Sequence, residues 1–398
     1  LTAARYDLVI VGGGIHGAGV AQAAAAHGYT ALVLEQSGIA AGTSSRSSKL
    51  IHGGLRYLES HQWSLVRECL RERAILLRNA PELVHLAPFF IPIYKHSKRR
   101  PVTIHTGLTL YSMLGGLGKT TRFHRLPRSQ WPALDGLDTA NLRAVYQYHD
   151  ARTDDAALTV AVMNAALQLG AQLALPAQLV NAATNASGVD VSYTVNGVEK
   201  HCQASVLVNA AGPWVSDVLR RVTPATPQLQ MQLVQGTHII VDGTINKGVF
   251  YLEAPADRRP VFVMPWRDQV MVGTTETLYQ GDPANVEPRV DERTYLLETL
   301  SWYFPHYRST ETARIRSAFA GLRVLPLATG SVGARSRDTL LHPDNSRAPR
   351  VLTIYGGKLT AYRQTAENVI KRLQPVLPER KAVADTRDMA LRPGPLNH

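Results

Sequence analysis

Cysteine is scarce in this chain: only Cys69 and Cys202 occur in 398 residues, far apart and in no repeated spacing. That excludes a disulfide scaffold, a Cys-based metal motif and a C-x-x-C redox pair, and suits a reducing cytoplasm with two small buried thiols. Long apolar runs are missing too. None approaches the ~20 residues a bilayer span requires, so any membrane contact is expected to be peripheral or monotopic. Residues 1–7 lead directly into an apolar strand, and no secretory leader is read there. Acidic residues are outnumbered, 31 against 43 Lys and Arg, for a net charge of +12. Such an excess favours anionic partners, whether phosphorylated metabolites or acidic lipid surfaces. The cations are scattered and no nucleic-acid motif is visible, so no nucleic-acid partner is expected. A basic surface without a specific partner is the plain alternative.

What is present is an ordinary globular composition long enough for two or three domains. Residues 8–11 form a short, continuous apolar run, as in a buried parallel strand. A glycine turn follows, then an alanine-rich helix over 18–27 and a second apolar strand over 31–34 that ends at Glu35. This is one βαβ unit of a doubly wound sheet. Helical spacing runs from 63 to 86. Residues 108–117 read as a short cap helix or a loop that touches lipid, with core packing as the plainer alternative. Another helix is expected over 156–169, with Asp154 or Asp155 at its N-cap. Strands are expected at 173–180, 189–195, 205–209, 237–241, 261–264, 270–272 and 351–355, and further helices at 291–303 and 359–373. The expected fold class is α/β, with a Rossmann-like domain and an inserted α+β substrate or cap domain carrying a mostly antiparallel sheet. Residues 1–62, 141–225 and 326–390 are assigned to the first, and 63–140 and 226–325 to the second.

Three separated motifs carry the chemistry. Gly12-x-Gly14-x-x-Gly17 lies between strand and helix, as a dinucleotide turn requires: one glycine for the tight turn, one for close approach of a pyrophosphate, one for helix–strand packing. Glu35, at the end of the next strand, is placed to accept from ribose hydroxyls. This unit alone leaves nicotinamide and flavin both open. The hydroxyl-rich turn Thr43-Ser44-Ser45-Arg46-Ser47-Ser48 and the Lys49–Tyr57 segment after it suit phosphate or ribityl contacts. Gly356-Gly357-Lys358-Leu359-Thr360 stands at a strand-to-helix junction, where backbone passes close to a planar ring and a helix dipole stabilises negative charge on it. No second nucleotide fingerprint is visible, which favours a single flavin. Gly115-Gly116-Leu117-Gly118-Lys119-Thr120 imitates a phosphate loop, but Met113 stands where that loop needs glycine and no clear strand precedes it.

With Ser47 to Glu59, Val208 to Trp214, Gly236 to Ile240, Met264-Pro265-Trp266, Gly273 to Glu276, Gly321-Leu322-Arg323 and Gly356 to Arg363, the sequence resembles the FAD-dependent glycerol-3-phosphate dehydrogenases, within the D-amino-acid-oxidase-like flavoproteins. The resemblance implies FAD as cofactor, contacted at Gly12, Gly14, Ile15, His16, Gly17, Glu35, Thr43, Ser44, Ser48, Lys49, Leu50, His52, Leu179, Gly212, Trp214 and Gly356 to Thr360. It implies oxidation of sn-glycerol 3-phosphate to dihydroxyacetone phosphate by hydride transfer to flavin N5, with quinone taking the electrons. Arg56, Arg323 and Lys358 are its substrate cations, suited to grip phosphate. Tyr57 and Thr360 are hydroxyl donors. His238 is expected as the general base, together with Arg323 and Lys358 in the catalytic set, and His52 as a flavin neighbour. No metal is expected. A homodimer and a place at the inner face of the cytoplasmic membrane go with the same reading. Two departures bear on the substrate: the chain stops where the family's further helical domain would begin, and Arg323-Val324-Leu325-Pro326 replaces the usual Arg-Pro-Leu beside a compact loop, Gly330 to Gly333. The alternatives are an oxidoreductase of another small 2-hydroxy or 2-amino acid, and a flavin-binding protein without catalysis.

Overall fold

The computed structural model describes residues 4–309, 313–327 and 339–396; the Gly330 to Gly333 loop lies outside them. Two sheets organise the described chain. The first joins β1 (Ala4–Val11), β2 (Ala31–Leu34), β7 (Gln172–Ala174), β8 (Ala177–Asn185), β9 (Gly188–Val195), β10 (Val198–Asn209), β11 (Val222–Thr223), β18 (Leu340–Pro343) and β19 (Val351–Tyr355). Its centre is parallel, in the order β7-β2-β1-β10-β19. The second joins β3 (Leu50–Ile51), β4 (Val84–Tyr94), β5 (His124–Arg125), β6 (Leu142–Thr153), β12 (Met231–Val241), β13 (Val249–Glu253), β14 (Pro260–Trp266), β15 (Gln269–Gly273), β16 (Thr277–Tyr279) and β17 (Ile315–Pro326). It is antiparallel except where β13 lies parallel to β4. This is the expected α/β architecture with a second, mostly antiparallel sheet.

The helices are α1 (Ile15–Ala26), α2 (Trp63–Asn79), α3 (Pro101–Leu114), α4 (Asp155–Gln168), α5 (Val215–Leu219), α6 (Val290–Tyr303) and α7 (Tyr362–Leu373). α1 is alanine-rich and buried on nearly every side, so it shows no polar face. It lies on the parallel sheet and packs against both α4 and α7, forming one apolar core with them. Small side chains allow this close approach: a side chain at Gly19 would meet the Tyr362 ring at 2.8 Å. A second core fills the space between α6 and strands β12 to β15.

Several boundaries differ from those read in the sequence. The helical spacing of 63–86 ends at Asn79, because Pro81 cannot continue a helix and residues 84–94 turn into β4. Residues 108–114 of the stretch 108–117 belong to a longer helix, α3, opened by Pro101 at its first turn, and 115–117 form a turn after it. Residues 173–180 are two strands, split at Pro176, which has no N–H to give the ladder. The final helix begins at Tyr362, leaving 356–361 as a turn. Residues 50–51 and 142–153, numbered with the cofactor domain in the sequence reading, hydrogen-bond in the second sheet. The Gly115 to Thr120 segment follows a helix, as its rejection as a phosphate loop requires. No described helix is long and apolar enough to cross a membrane.

Candidate flavin and substrate site

The glycine turn after β1 has the shape its sequence demands. Gly12 has φ +110°, and a side chain there would lie 2.7 Å from the Ala210 carbonyl oxygen. A side chain at Gly17 would lie 1.8 Å from the Gly12 oxygen, so α1 seats directly on the turn. The Glu35 carboxylate accepts from the backbone N–H of Gly13 at 2.6 Å, of Ser37 at 2.7 Å and of Gly38 at 3.2 Å. A carboxylate offers about four acceptor directions, so at least one is left for a ribose hydroxyl. The Ile15 N–H donates to Ser44 Oγ at 2.9 Å, which ties the hydroxyl-rich turn to the start of α1.

That turn is held on two sides. Thr43 Oγ1 donates to the Leu322 carbonyl at 2.8 Å, seating it on β17. On the other side, Asp155 at the start of α4 accepts from both Ser47 N (2.9 Å) and Ser47 Oγ (2.6 Å). Lys49 lies with φ +57°, and its ammonium forms a buried ion pair with Asp155 at 2.5 Å and donates to the Ser45 carbonyl. Its charge is therefore directed at α4. Leu50 is buried among apolar side chains between β3 and α2.

Beyond β3, the His52 N–H donates to Thr360 Oγ1 at 3.2 Å, joining this segment to the terminal glycine turn. The Gly53 N–H donates to Tyr111 Oη at 2.9 Å, and Tyr111 donates in turn to Asp150, which also pairs with Arg73. All three side chains are buried. Burial, and next the Asp150 charge, hold the Tyr111 phenol protonated. This network under the His52–Gly54 turn was not anticipated. Its one sequence signal is Asp150 on the inward face of the alternating strand β6.

At the terminal turn, Gly357 has φ +110°, and a side chain there would lie 1.9 Å from His16 Nε2. The first and last motifs therefore meet in space. Lys358 Nζ sits 4.2 Å from the centre of the Tyr57 ring, a cation–π contact. Thr360 is buried, and Leu359 packs on the α1–α4–α7 core. The Gly212–Trp214 turn follows β10, with the Trp214 ring 3.2 Å from where a side chain at Gly42 would begin. Leu179 is buried on β8. Arg56 lies in the short helical turn Leu55–Ser60, next to Tyr57.

The second sheet supplies the opposite wall. β12 and β17 pair Val234 with Arg323, Gly236 with Gly321 and His238 with Phe319, so alternate residues of both strands share one face. His238 stacks on Phe319, centroids 4.9 Å apart, and one imidazole nitrogen, Nε2, is 2.9 Å from Ser48 Oγ. Burial, then the charges of Lys49 and Arg323, pushes the His238 imidazole down to about 3. Burial likewise lowers His16 to about 4. Arg323 donates to Glu276 at 2.9 Å and to the Thr275 carbonyl at 3.0 Å. Glu276 also pairs with Arg259 at 2.6 Å.

Among the described residues, His16 Nδ1 and His238 Nδ1 are buried without a hydrogen-bond partner. Buried polar atoms in a folded protein are nearly always paired, so each of these two has room in its hydrogen bonding for a water or a polar ligand. One lies at the dinucleotide turn and the other on the facing sheet. With tight glycine turns at Gly12 and Gly357, each in a backbone conformation only glycine adopts readily, the arrangement fits an elongated FAD running from Glu35 to the terminal turn. Of the residues read from the sequence, Ile15 meets Ser44, His16 meets Gly357, Ser48 meets His238, His52 meets Thr360 and Tyr57 meets Lys358, while Arg323 acts on His238 through its charge. Arg259, Tyr111 and Asp150 were missed.

Comparison with known proteins shows the family. Residues 7–363 match the family described as FAD dependent oxidoreductase. The chain is 38% identical over 379 residues to glycerol-3-phosphate dehydrogenase of Pseudomonas aeruginosa, spanning 93% of this chain and 72% of that one. It is 36% identical over 383 residues to D-erythritol 1-phosphate dehydrogenase of Brucella abortus, spanning 94% and 74%. Among solved structures, the glycerol-3-phosphate dehydrogenase of Bacillus halodurans complexed with FAD matches with a TM-score of 0.76 at 27% identity, over 97% of this chain and 68% of that one. The chain belongs to the FAD dependent oxidoreductase family, and its cofactor is FAD.

Proposed function

We propose that this flavoenzyme oxidises sn-glycerol 3-phosphate to dihydroxyacetone phosphate. The observation that carries the reading is a set of four contacts among remote segments: Lys358 over Tyr57, His52 with Thr360, His16 against Gly357, and Ser48 with His238, whose imidazole feels the Arg323 charge. Arg56, Arg323 and Lys358 hold the phosphate, and Tyr57 and Thr360 orient the polyol through their hydroxyls. FAD, when bound, would supply the acceptor for the hydride from C2, with quinone as the final electron acceptor. His238 takes the hydroxyl proton. In the resting protein its imidazole is a weak base, because it is buried and faces two cations. A phosphate dianion at Arg323 offsets one of those cations and raises the imidazole toward a useful basicity. The five-part domain division read from the sequence, and a peripheral seat on the inner face of the cytoplasmic membrane where quinone enters from lipid, are parts of the same proposal.

The similarity to an erythritol-phosphate dehydrogenase makes a longer phosphorylated polyol the second reading. Anaerobic addition of each compound to the yellow protein separates the possibilities. Glycerol 3-phosphate should bleach the flavin band within seconds, and glycerol should not. Faster bleaching by erythritol phosphate would shift the assignment to the longer polyol. Bleaching only by 2-hydroxyglutarate or glycine would end the phosphate reading.

A further inference from the structure

Arg323 is expected to hold phosphate, yet it is already ion-paired. A guanidinium neutralised by a carboxylate attracts an anion weakly. The surroundings of Glu276 resolve this. Its carboxylate is nearly fully buried, and each oxygen serves a different arginine: Oε1 takes Arg323 at 2.9 Å and Oε2 takes Arg259 at 2.6 Å. Both arginine side chains stay about a quarter exposed. Among the described residues, two cations share this one carboxylate, so Arg259, Arg323 and Glu276 together carry one net positive charge.

The group is also held in place. Arg323 Nη2 donates to the Thr275 carbonyl and lies over Gly236, where a side chain would come within 2.6 Å of it. Thr275 is anchored by its hydroxyl to Glu292 Oε1 at 2.7 Å, and accepts from the Thr237 N–H at 2.9 Å. Thr237 in turn precedes His238 on β12. One rigid connection therefore fixes Arg323 relative to the imidazole.

We propose that Glu276 is a positioning residue for Arg323, and that Arg259 is an unassigned member of the anion site, supplying the charge that Glu276 removes. The inference rests on the phosphate-ester reading above. It separates the two roles by sign. Arg259→Gln leaves a neutral Arg323–Glu276 pair, so phosphate binding weakens while the fork stays aligned. Glu276→Gln leaves the cations in place but frees the fork, so binding holds while turnover falls.

The test uses FAD-loaded protein, with 2-phosphoglycolate as an unreactive phosphate monoester titrated by calorimetry, and glycerol 3-phosphate for kinetics. Arg259→Gln should raise both the analogue Kd and KM about tenfold, with kcat nearly kept, as expected for losing one charge-assisted contact. Glu276→Gln should lower kcat about tenfold without raising KM or the analogue Kd, and Glu276→Asp should recover part of that loss. FAD content and melting temperature, measured on every variant, detect a merely structural role. The inference is overturned if Arg259→Gln binds the analogue like wild type. It is also overturned if Glu276→Gln loses affinity, turnover and FAD together. Wild-type protein that phosphate esters neither bleach nor bind would remove the underlying reading, and this one with it.

Discussion

At the scale of single residues, His238 decides how the site behaves with pH. Its imidazole is pushed down to about 3 and that of His16 to about 4, both from 6.5 and both first by burial. A buried neutral histidine binds its proton more weakly in the folded chain than in the unfolded one. Its contribution to stability is therefore intact above pH 6.5 and is lost as pH falls toward the folded value. Between pH 7.5 and 5, each such histidine should remove roughly 2 kcal/mol, from 1.36 kcal/mol per unit over about one and a half units. His238→Asn should cut that acid-dependent loss by about the same amount, measured as the difference in urea unfolding free energy at the two pH values. An unchanged pH dependence would place the imidazole in water. Lys49 teaches the complementary lesson. A lysine in a hydroxyl-rich loop reads as a ligand for the cofactor, whereas its ammonium is paired with Asp155 beneath the loop. Sequence gives the charge but not the direction in which a flexible four-carbon stem points.

At the scale of elements, what was legible followed from local pattern. β1, α1 and β2 were readable because a buried parallel strand and an alanine-rich helix leave a strong trace on either side of glycines. β19 was read with its observed bounds, 351–355, for the same reason. The long strands β4 and β6 were missed. β4 carries Pro88 and Pro92, which weaken a strand reading, and its pairing with β6 spans some fifty residues that no local window joins. The arginine pair around Glu276 was invisible for the same cause, since Arg259, Glu276 and Arg323 meet only once β14, β16 and β17 are assembled. Asp155 shows how an element places the site. It is the first residue of α4, yet three of its contacts, Ser47 N, Ser47 Oγ and Lys49 Nζ, lie in the cofactor turn. Asp155→Ala leaves a buried ammonium without its partner, and breaking a buried pair on one side costs about 3–5 kcal/mol. Urea unfolding should show that loss, and gel-filtered protein should retain less FAD than wild type. A variant of normal stability would show that Lys49 is solvated there.

At the scale of the whole molecule, the two sheets face one another across the site, and the chain passes between them several times. The cofactor sheet takes strands from residues 4–34, 172–223 and 340–355, and the second sheet the segments between. Neither sheet is complete until distant parts of the chain are joined, so a cofactor that binds the folded chain and not the unfolded one stabilises the assembled state. The charge of +12 acts at this scale too. It adds to the cations proposed for the substrate site, Arg56, Lys358, Arg323 and Arg259, and should draw a phosphate ester in from several ångströms away. At 0.15 M salt the screening length is about 8 Å, and at 0.01 M about 30 Å, so this steering weakens as salt is added. The kcat/KM for glycerol 3-phosphate should therefore fall several-fold between about 0.01 and 0.3 M potassium chloride, mainly through KM. Turnover of a neutral alcohol, where measurable, should stay flat over the same range. A phosphate ester whose kcat/KM ignores salt would mean that the net charge is spread over faces remote from the site and serves some other contact.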